Sequence, residues 1–227
     1  MSSFSFLLAL GAGLGLAWAA WQAPEKQAGA VVHAGFWALG GAFLGGRVAY
    51  VVVNWAYFQS HLLEIPLVWL GGFSGLGALL GTALFVLIAR HSADELLPLG
   101  TALAVVGWLM GSAYGRAIPW GPAFADEMGN INPRWPVQLI GTALTLGIFI
   151  PLDLNRQSLT LPGLAAGLWV LGQSITLFAL SFLRADPIPT WHGLRLDAWG
   201  AAAVAGIAFL FIILLRLKGQ KGKGDPG

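Results

Sequence analysis

Seven apolar segments divide this chain, roughly 3–22, 30–57, 66–89, 96–118, 135–152, 161–183 and 198–215, each near or above the ~20 residues that a helix needs to cross a bilayer. In lipid, irregular backbone would leave polar groups without partners, so helices are the predicted form. Composition agrees. With 57% hydrophobic and 10% charged residues, the chain cannot cover a soluble surface, which would need about 25% charged residues. The expectation is an all-α integral membrane protein with seven transmembrane helices in a single domain over 1–217, capped by outer-side loops. A disordered basic cytoplasmic tail is expected over 218–227.

Ala17-Trp18-Ala19 resembles the small-residue end of a secretory signal, but no basic region precedes it, so the first segment reads as a span. The chain has no cysteine, which excludes disulfides, thiolate nucleophiles and cysteine-based metal sites of its own. A formal charge of +2 is too small to point to nucleic acid. No pair among His33, His61, His91 and His192 has helical metal-ligand spacing, and neither a metal nor another cofactor is expected.

Positive charge orients the spans. With the C-terminus cytoplasmic, the inner side holds Lys26, Arg90, Arg156, Arg216, Lys218, Lys221 and Lys223, and the N-terminus lies outside. The outer side then keeps Arg116, Arg134, Arg184 and Arg195, with no lysine. Planar guanidinium groups suit bidentate pairing with an oxyanion, so a bound anion at the outer face is the expected use. Two longer outer loops, 119–134 and 184–197, mix proline, glycine, aromatic and charged residues as an ordered cap would.

Within the spans, Arg47, Tyr50 and Asn54 stand at i, i+3 and i+7 and form one polar stripe on a helix. An arginine at that depth is costly unless it faces a cavity or a partner, although snorkelling to the headgroups would also account for it. From Trp69 to Gly81, five glycines fall within thirteen residues. Together with Gly45 and Gly46, Gly71 and Gly72 are expected to allow close backbone approach between helices. Gln138 opens the fifth span as either a helix–helix hydrogen bond or a site residue. Asp126 and Glu127 are expected to be solvated and are weak candidates for a base.

The order of motifs resembles the prolipoprotein diacylglyceryl transferase family. Gly45-Gly46-Arg47-Val48-Ala49-Tyr50 is similar to the family's Gly-Gly-Arg-x-Gly-Tyr, and Trp69-Leu70-Gly71-Gly72-Phe73-Ser74 to its Trp-x-Gly-Gly-Met-Ser. Asp94 to Leu99 resembles the lead into its fourth helix, Pro136 and Gln138 match part of its His-Pro-Ser-Gln-Leu-Tyr-Glu, and Phe182 to Asp186 is similar to its Phe-Phe-Arg-x-Pro-Asp. The resemblance implies a seven-helix bacterial inner-membrane enzyme that moves diacylglycerol from phosphatidylglycerol to the lipobox cysteine of a prolipoprotein signal peptide. It places Arg47, Tyr50, Gln138 and Arg184 at the substrate, and Arg116 joins them as the signature arginine only after a shift of about one helical turn.

The chain departs from the family pattern where protons would be handled. Leu76 stands at the family's histidine, Ser112 at the arginine of its signature motif, Trp135 at a second histidine, and Ile140 and Gly141 at its tyrosine and glutamate. Two other readings therefore stand beside the transferase. One is a non-catalytic relative that binds anionic phospholipid or a membrane peptide. The other is a small transporter, for which Arg47 and the glycine-rich helices speak but the expected inverted repeats do not.

Overall fold

In the computed structural model the described residues are 3–68, 71–88, 93–111, 113–126 and 128–221. Helix α1 is Ser3–Gln22, α2 Ala28–Val53, α3 Gly75–Ile88 and α4 Leu97–Met110. A hairpin of β1, Ala123–Ala125, and β2, Ile131–Pro133, precedes α5, Val137–Leu154, and α6, Leu164–Ser181. A second hairpin, β3 Thr190–Trp191 and β4 Leu194–Arg195, leads into α7, Leu196–Lys221.

This is a helical, multi-pass membrane protein. Among the described residues, five helical stretches, Ala28–Val53, Ala93–Met110, Val137–Leu154, Leu164–Ser181 and Leu196–Gln220, are long and apolar enough to cross a bilayer, whereas Phe6–Gln22 and Gly75–Val86 are apolar but shorter. The chain divides into two compact units, Ala20–Leu96 and Met1–Ala19 with Leu97–Gly227.

In the smaller unit α2 packs along α3 through glycine. A Cβ on Gly41 would collide with the Gly81 carbonyl, and one on Gly45 with the Gly77 carbonyl, so the backbones touch directly. Among the described residues, the third segment becomes α-helical at Gly75, not near 66 as its hydropathy suggests. Gly71 and Gly72 take φ of +86° and +84°, which end any helix upstream. Ser74 then caps α3, its Oγ accepting the Gly77 N–H at 3.2 Å. Likewise α2 stops at Val53 rather than 57, with the Asn54 side chain donating to the Tyr50 carbonyl at 2.9 Å and a separate turn following over Trp55–Phe58.

In the larger unit α1 lies against α4, where a Cβ on Gly15 would come within 2.8 Å of the Leu99 Cα. The Trp169 indole of α6 donates to Thr101 of α4 at 3.0 Å, and Thr145 of α5 donates to Gln173 of α6 at 3.0 Å. Both bonds are buried, where an unpaired polar group would be expensive. Phe211 and Ile212 of α7 seat against Gly163 and Gly167. Helix α4 ends at Met110, eight residues before the apolar run predicts, because the chain from Ala113 on is drawn into extended pairing. At the other end α7 continues to Lys221, so the first residues of the expected tail are helical.

Candidate functional site

In the smaller unit, Arg47 is a buried cation, 7% exposed. Its Nε donates to the Ile65 carbonyl at 2.9 Å, Nη2 to Glu64 at 2.8 Å, and Nη1 to Gly71 at 2.6 Å and Gly72 at 3.1 Å. Four of the guanidinium N–H groups are thus taken by backbone carbonyls of the chain between α2 and α3. The rings of Tyr50 and Phe58 lie 5.9 and 5.5 Å from its central carbon, completing an apolar wall with a favourable π face.

The motif glycines have separate reasons. Gly45 allows the α2–α3 backbone contact, while Gly46 faces Phe73, whose Cδ1 a Cβ would approach to 3.1 Å, and accepts the Ser74 N–H at 2.9 Å. A side chain on Gly72 would strike the Tyr50 ring. Gly71, expected in close packing, meets nothing within 4 Å, and its requirement is the left-handed backbone that turns its carbonyl to Arg47. Leu76, half-buried in the first turn of α3, presents no polar atom.

On the same connection, the Tyr57 hydroxyl donates to Glu64 Oε2 at 2.7 Å, and this carboxylate holds the phenol above its ordinary pKa. The His61 ring stacks on Tyr57 at 4.2 Å, with Nδ1 3.0 Å from the Tyr57 carbonyl. This exposed cluster was not identified from the sequence.

The larger unit carries the other arginines on a backbone platform. Residues Tyr114–Ala117 run between two partners, with antiparallel bridges from Gly115 to Arg184 and from Ala117 to Arg134. The Arg116 N–H donates to the Leu183 carbonyl at 2.8 Å and the Trp135 N–H to Arg116 at 3.1 Å. Gln138, at the start of α5, donates from Nε2 to the Ala113 carbonyl. Arg116, Gln138 and Arg184 are therefore gathered at this one strip.

Their side chains differ in availability. Arg184 forms a bidentate pair with Asp186, at 2.8 and 2.7 Å, and reaches Asp197 with Nη1 at 3.0 Å. Arg195, in the outer loop 184–197, also bonds Asp186 at 2.9 Å and Asp197 at 3.2 Å, closing a four-membered ring of charges. Burial pulls the Asp186 pKa upward, but the two guanidiniums outweigh it and hold the carboxyl below its usual range. Burial likewise opposes the Arg195 charge, and Asp197 and Asp186 override it, raising its pKa. Arg134 pairs with Asp126 at 3.0 Å and lies 5.1 Å from the Tyr114 ring centre. Arg116 is exposed, and among the described residues its guanidinium has a single hydrogen bond, a long one of 3.4 Å from Nε to the Arg184 carbonyl.

Asp126 closes the first hairpin. Its Oδ1 accepts the Asn130 and Met128 N–H groups at 2.9 and 3.0 Å, and the Asn130 backbone bond is the chief reason its pKa is lowered. A carboxylate so engaged is a weaker base than a free one. Glu127 and Ser112 lie outside the described residues. The charge ring had a legible signal in sequence, Arg-x-Asp at 184–186 and again at 195–197, which a search for isolated arginines passes over.

A family model described as prolipoprotein diacylglyceryl transferase matches residues 1–214. Proteins named phosphatidylglycerol–prolipoprotein diacylglyceryl transferase from Brucella ovis, Brucella canis and Brucella abortus are similar to this chain, 32% identical over 168 residues, which is 65% of this chain and 59% of each relative. The aligned region thus spans about three-fifths of the curated relatives it matches. Because the family match runs from α1 into α7 and takes in both arginine-bearing units, the chain belongs to the prolipoprotein diacylglyceryl transferase family.

Proposed function

We propose that the protein transfers the diacylglyceryl group of phosphatidylglycerol to the lipobox cysteine of prolipoproteins, a step of lipoprotein biosynthesis. In this reaction a carbon–sulfur bond forms, the carbon–oxygen bond to phosphate breaks, glycerol phosphate leaves with the electron pair, and the thiol proton passes to a base. The observation that carries the reading is the exposed Arg116 guanidinium on the strip that also holds Arg184 and Gln138. A cation without a carboxylate partner among the described residues suits the phosphodiester and the charge that grows on it as glycerol phosphate departs. Arg47, with Tyr50 against it, contributes by holding the Glu64–Gly72 connection in shape.

A second reading is favoured by Leu76, which cannot accept a proton where the family has its histidine. On that reading the protein binds anionic phospholipid or a membrane peptide without transferring it. Purified protein incubated with labelled phosphatidylglycerol and a lipobox peptide decides between them. Labelled peptide supports the enzyme, and lipid binding without labelled peptide supports the second reading.

The proposed setting is the bacterial inner membrane, with seven crossings, α1 and α3 included, the N-terminus outside and the C-terminus cytoplasmic. The arginine platform then faces outward, where the acceptor's signal peptide ends. A reporter active only in the periplasm is expected to be silent when fused after Lys218, and activity there would reverse the orientation.

A further inference from the structure

The ring of Arg184, Asp186, Arg195 and Asp197 is neutral and closed, yet its two carboxylates are held unequally. Asp186 is 7% exposed and receives both arms of Arg184 and one of Arg195. The Asp197 side chain is 22% exposed, meets Arg184 at one atom, and meets Arg195 at 3.2 and 3.4 Å. It also belongs to the first turn of α7, where backbone N–H groups favour a negative charge.

We propose that Asp197 is an exchangeable counter-ion of Arg184, occupying at rest the position that a phosphate oxygen takes when a phosphodiester headgroup binds. This rests on the lipid-binding reading above and names the residue that tunes it. When a phosphate displaces it from Arg184 Nη1, Asp197 keeps its two-point pairing with Arg195 and the α7 N-terminus, so no charge is stranded. Asp186 holds Arg184 in position throughout, through Nε and Nη2. Arg116, whose Nε reaches the Arg184 carbonyl, lies beside the exchange with a guanidinium that has no carboxylate of its own among the described residues. Asp197 therefore sets the threshold: a headgroup gains Arg184 only if it outcompetes a carboxylate, which a phosphodiester with its paired oxygens does better than a neutral lipid.

The test measures binding of the full chain in nanodiscs to phosphatidylglycerol, with diacylglycerol as the neutral lipid that lacks a phosphate and soluble glycerol phosphate as the free headgroup. Asp197→Asn is expected to tighten phosphatidylglycerol binding roughly fivefold, the equivalent of one partly exposed ion pair removed from competition. Diacylglycerol binding should not change. Arg195→Gln should move the other way, because Asp197 then depends on Arg184 alone, and it decides the matter if Asp197→Asn does not fold. Tightening towards glycerol phosphate as well assigns the exchange to the headgroup itself, and tightening towards the lipid alone assigns it to the membrane-bound form. If the parent prefers phosphatidylglycerol but Asp197→Asn leaves that affinity unchanged or weaker at an intact melting temperature, the exchange is overturned and the lipid reading stands. If neither the parent nor the variants prefer phosphatidylglycerol, the lipid reading falls and the exchange with it.

Discussion

Arg47 Nη1 donates to the carbonyl of Gly71, 24 residues further along the chain, at 2.6 Å. The bond joins a buried cation on α2 to a residue whose φ of +86° turns its oxygen toward that cation. Arg47 is therefore a clasp for the α2–α3 connection before it can be anything to a ligand.

Removing the clasp strands several carbonyls. Arg47→Ala is expected to cost about 3 kcal/mol of stability, the scale of breaking a buried charge-assisted network. Hydrogen exchange over residues 62–74 should rise well above that of α5. Arg47→Lys should recover little, since an ammonium lacks the planar fork that reaches four carbonyls. Unchanged exchange in the alanine variant would mean that the connection holds itself.

Glycines at the α2–α3 contact should respond differently from those facing open space. Gly45→Ala and Gly81→Ala push a methyl group into backbone and are expected to cost about 1–3 kcal/mol each. Gly29→Ala and Gly40→Ala, where nothing lies within 4 Å, should be neutral or slightly stabilising through helix propensity. Thermal melts of the four variants side by side check this, and similar melting temperatures for all four would remove the contact from the account of stability.

The charge ring predicts an acid limit. The folded pKa of Asp186 is depressed, so its contribution to stability is fully present above its unfolded value, about 3.9, and is lost as pH falls through the lower folded value. Melting temperature should therefore decline below about pH 4. Asp186→Asn should lower stability at pH 7 and flatten that decline. A variant as acid-sensitive as the parent would place the titration elsewhere.

Transfer to a lipobox peptide should be slow in the parent and faster in Leu76→His. A positioned base is commonly worth about 10²–10⁴ in rate, and an imidazole in the first turn of α3 stands where the family has one. Asp126→Asn is expected to loosen the Ala123–Pro133 hairpin without removing the base, because the Asp126 carboxylate is already held by Asn130, Met128 and Arg134. Rapid transfer by the parent, indifferent to both changes, would move the base to a residue such as His61.

Sequence alone determined the helical membrane character of this protein, because a bilayer allows few ways to satisfy backbone over twenty apolar residues, and hydropathy records that constraint locally. It also singled out Arg47, Arg116 and Arg184, whose charges stand out against apolar surroundings or at span ends. Only the tertiary structure decided what these charges face. The start of α3 at Gly75 depends on two left-handed glycines that hydropathy cannot see, and the four acceptors of Arg47 are backbone oxygens, which every residue type supplies alike. The pairing of Arg184 with Asp197, thirteen positions away, depends on how the β3–β4 hairpin brings the start of α7 back to the end of α6. Apolar burial leaves a periodic trace along a sequence, whereas a hydrogen bond between distant segments is fixed by the path of the chain between them.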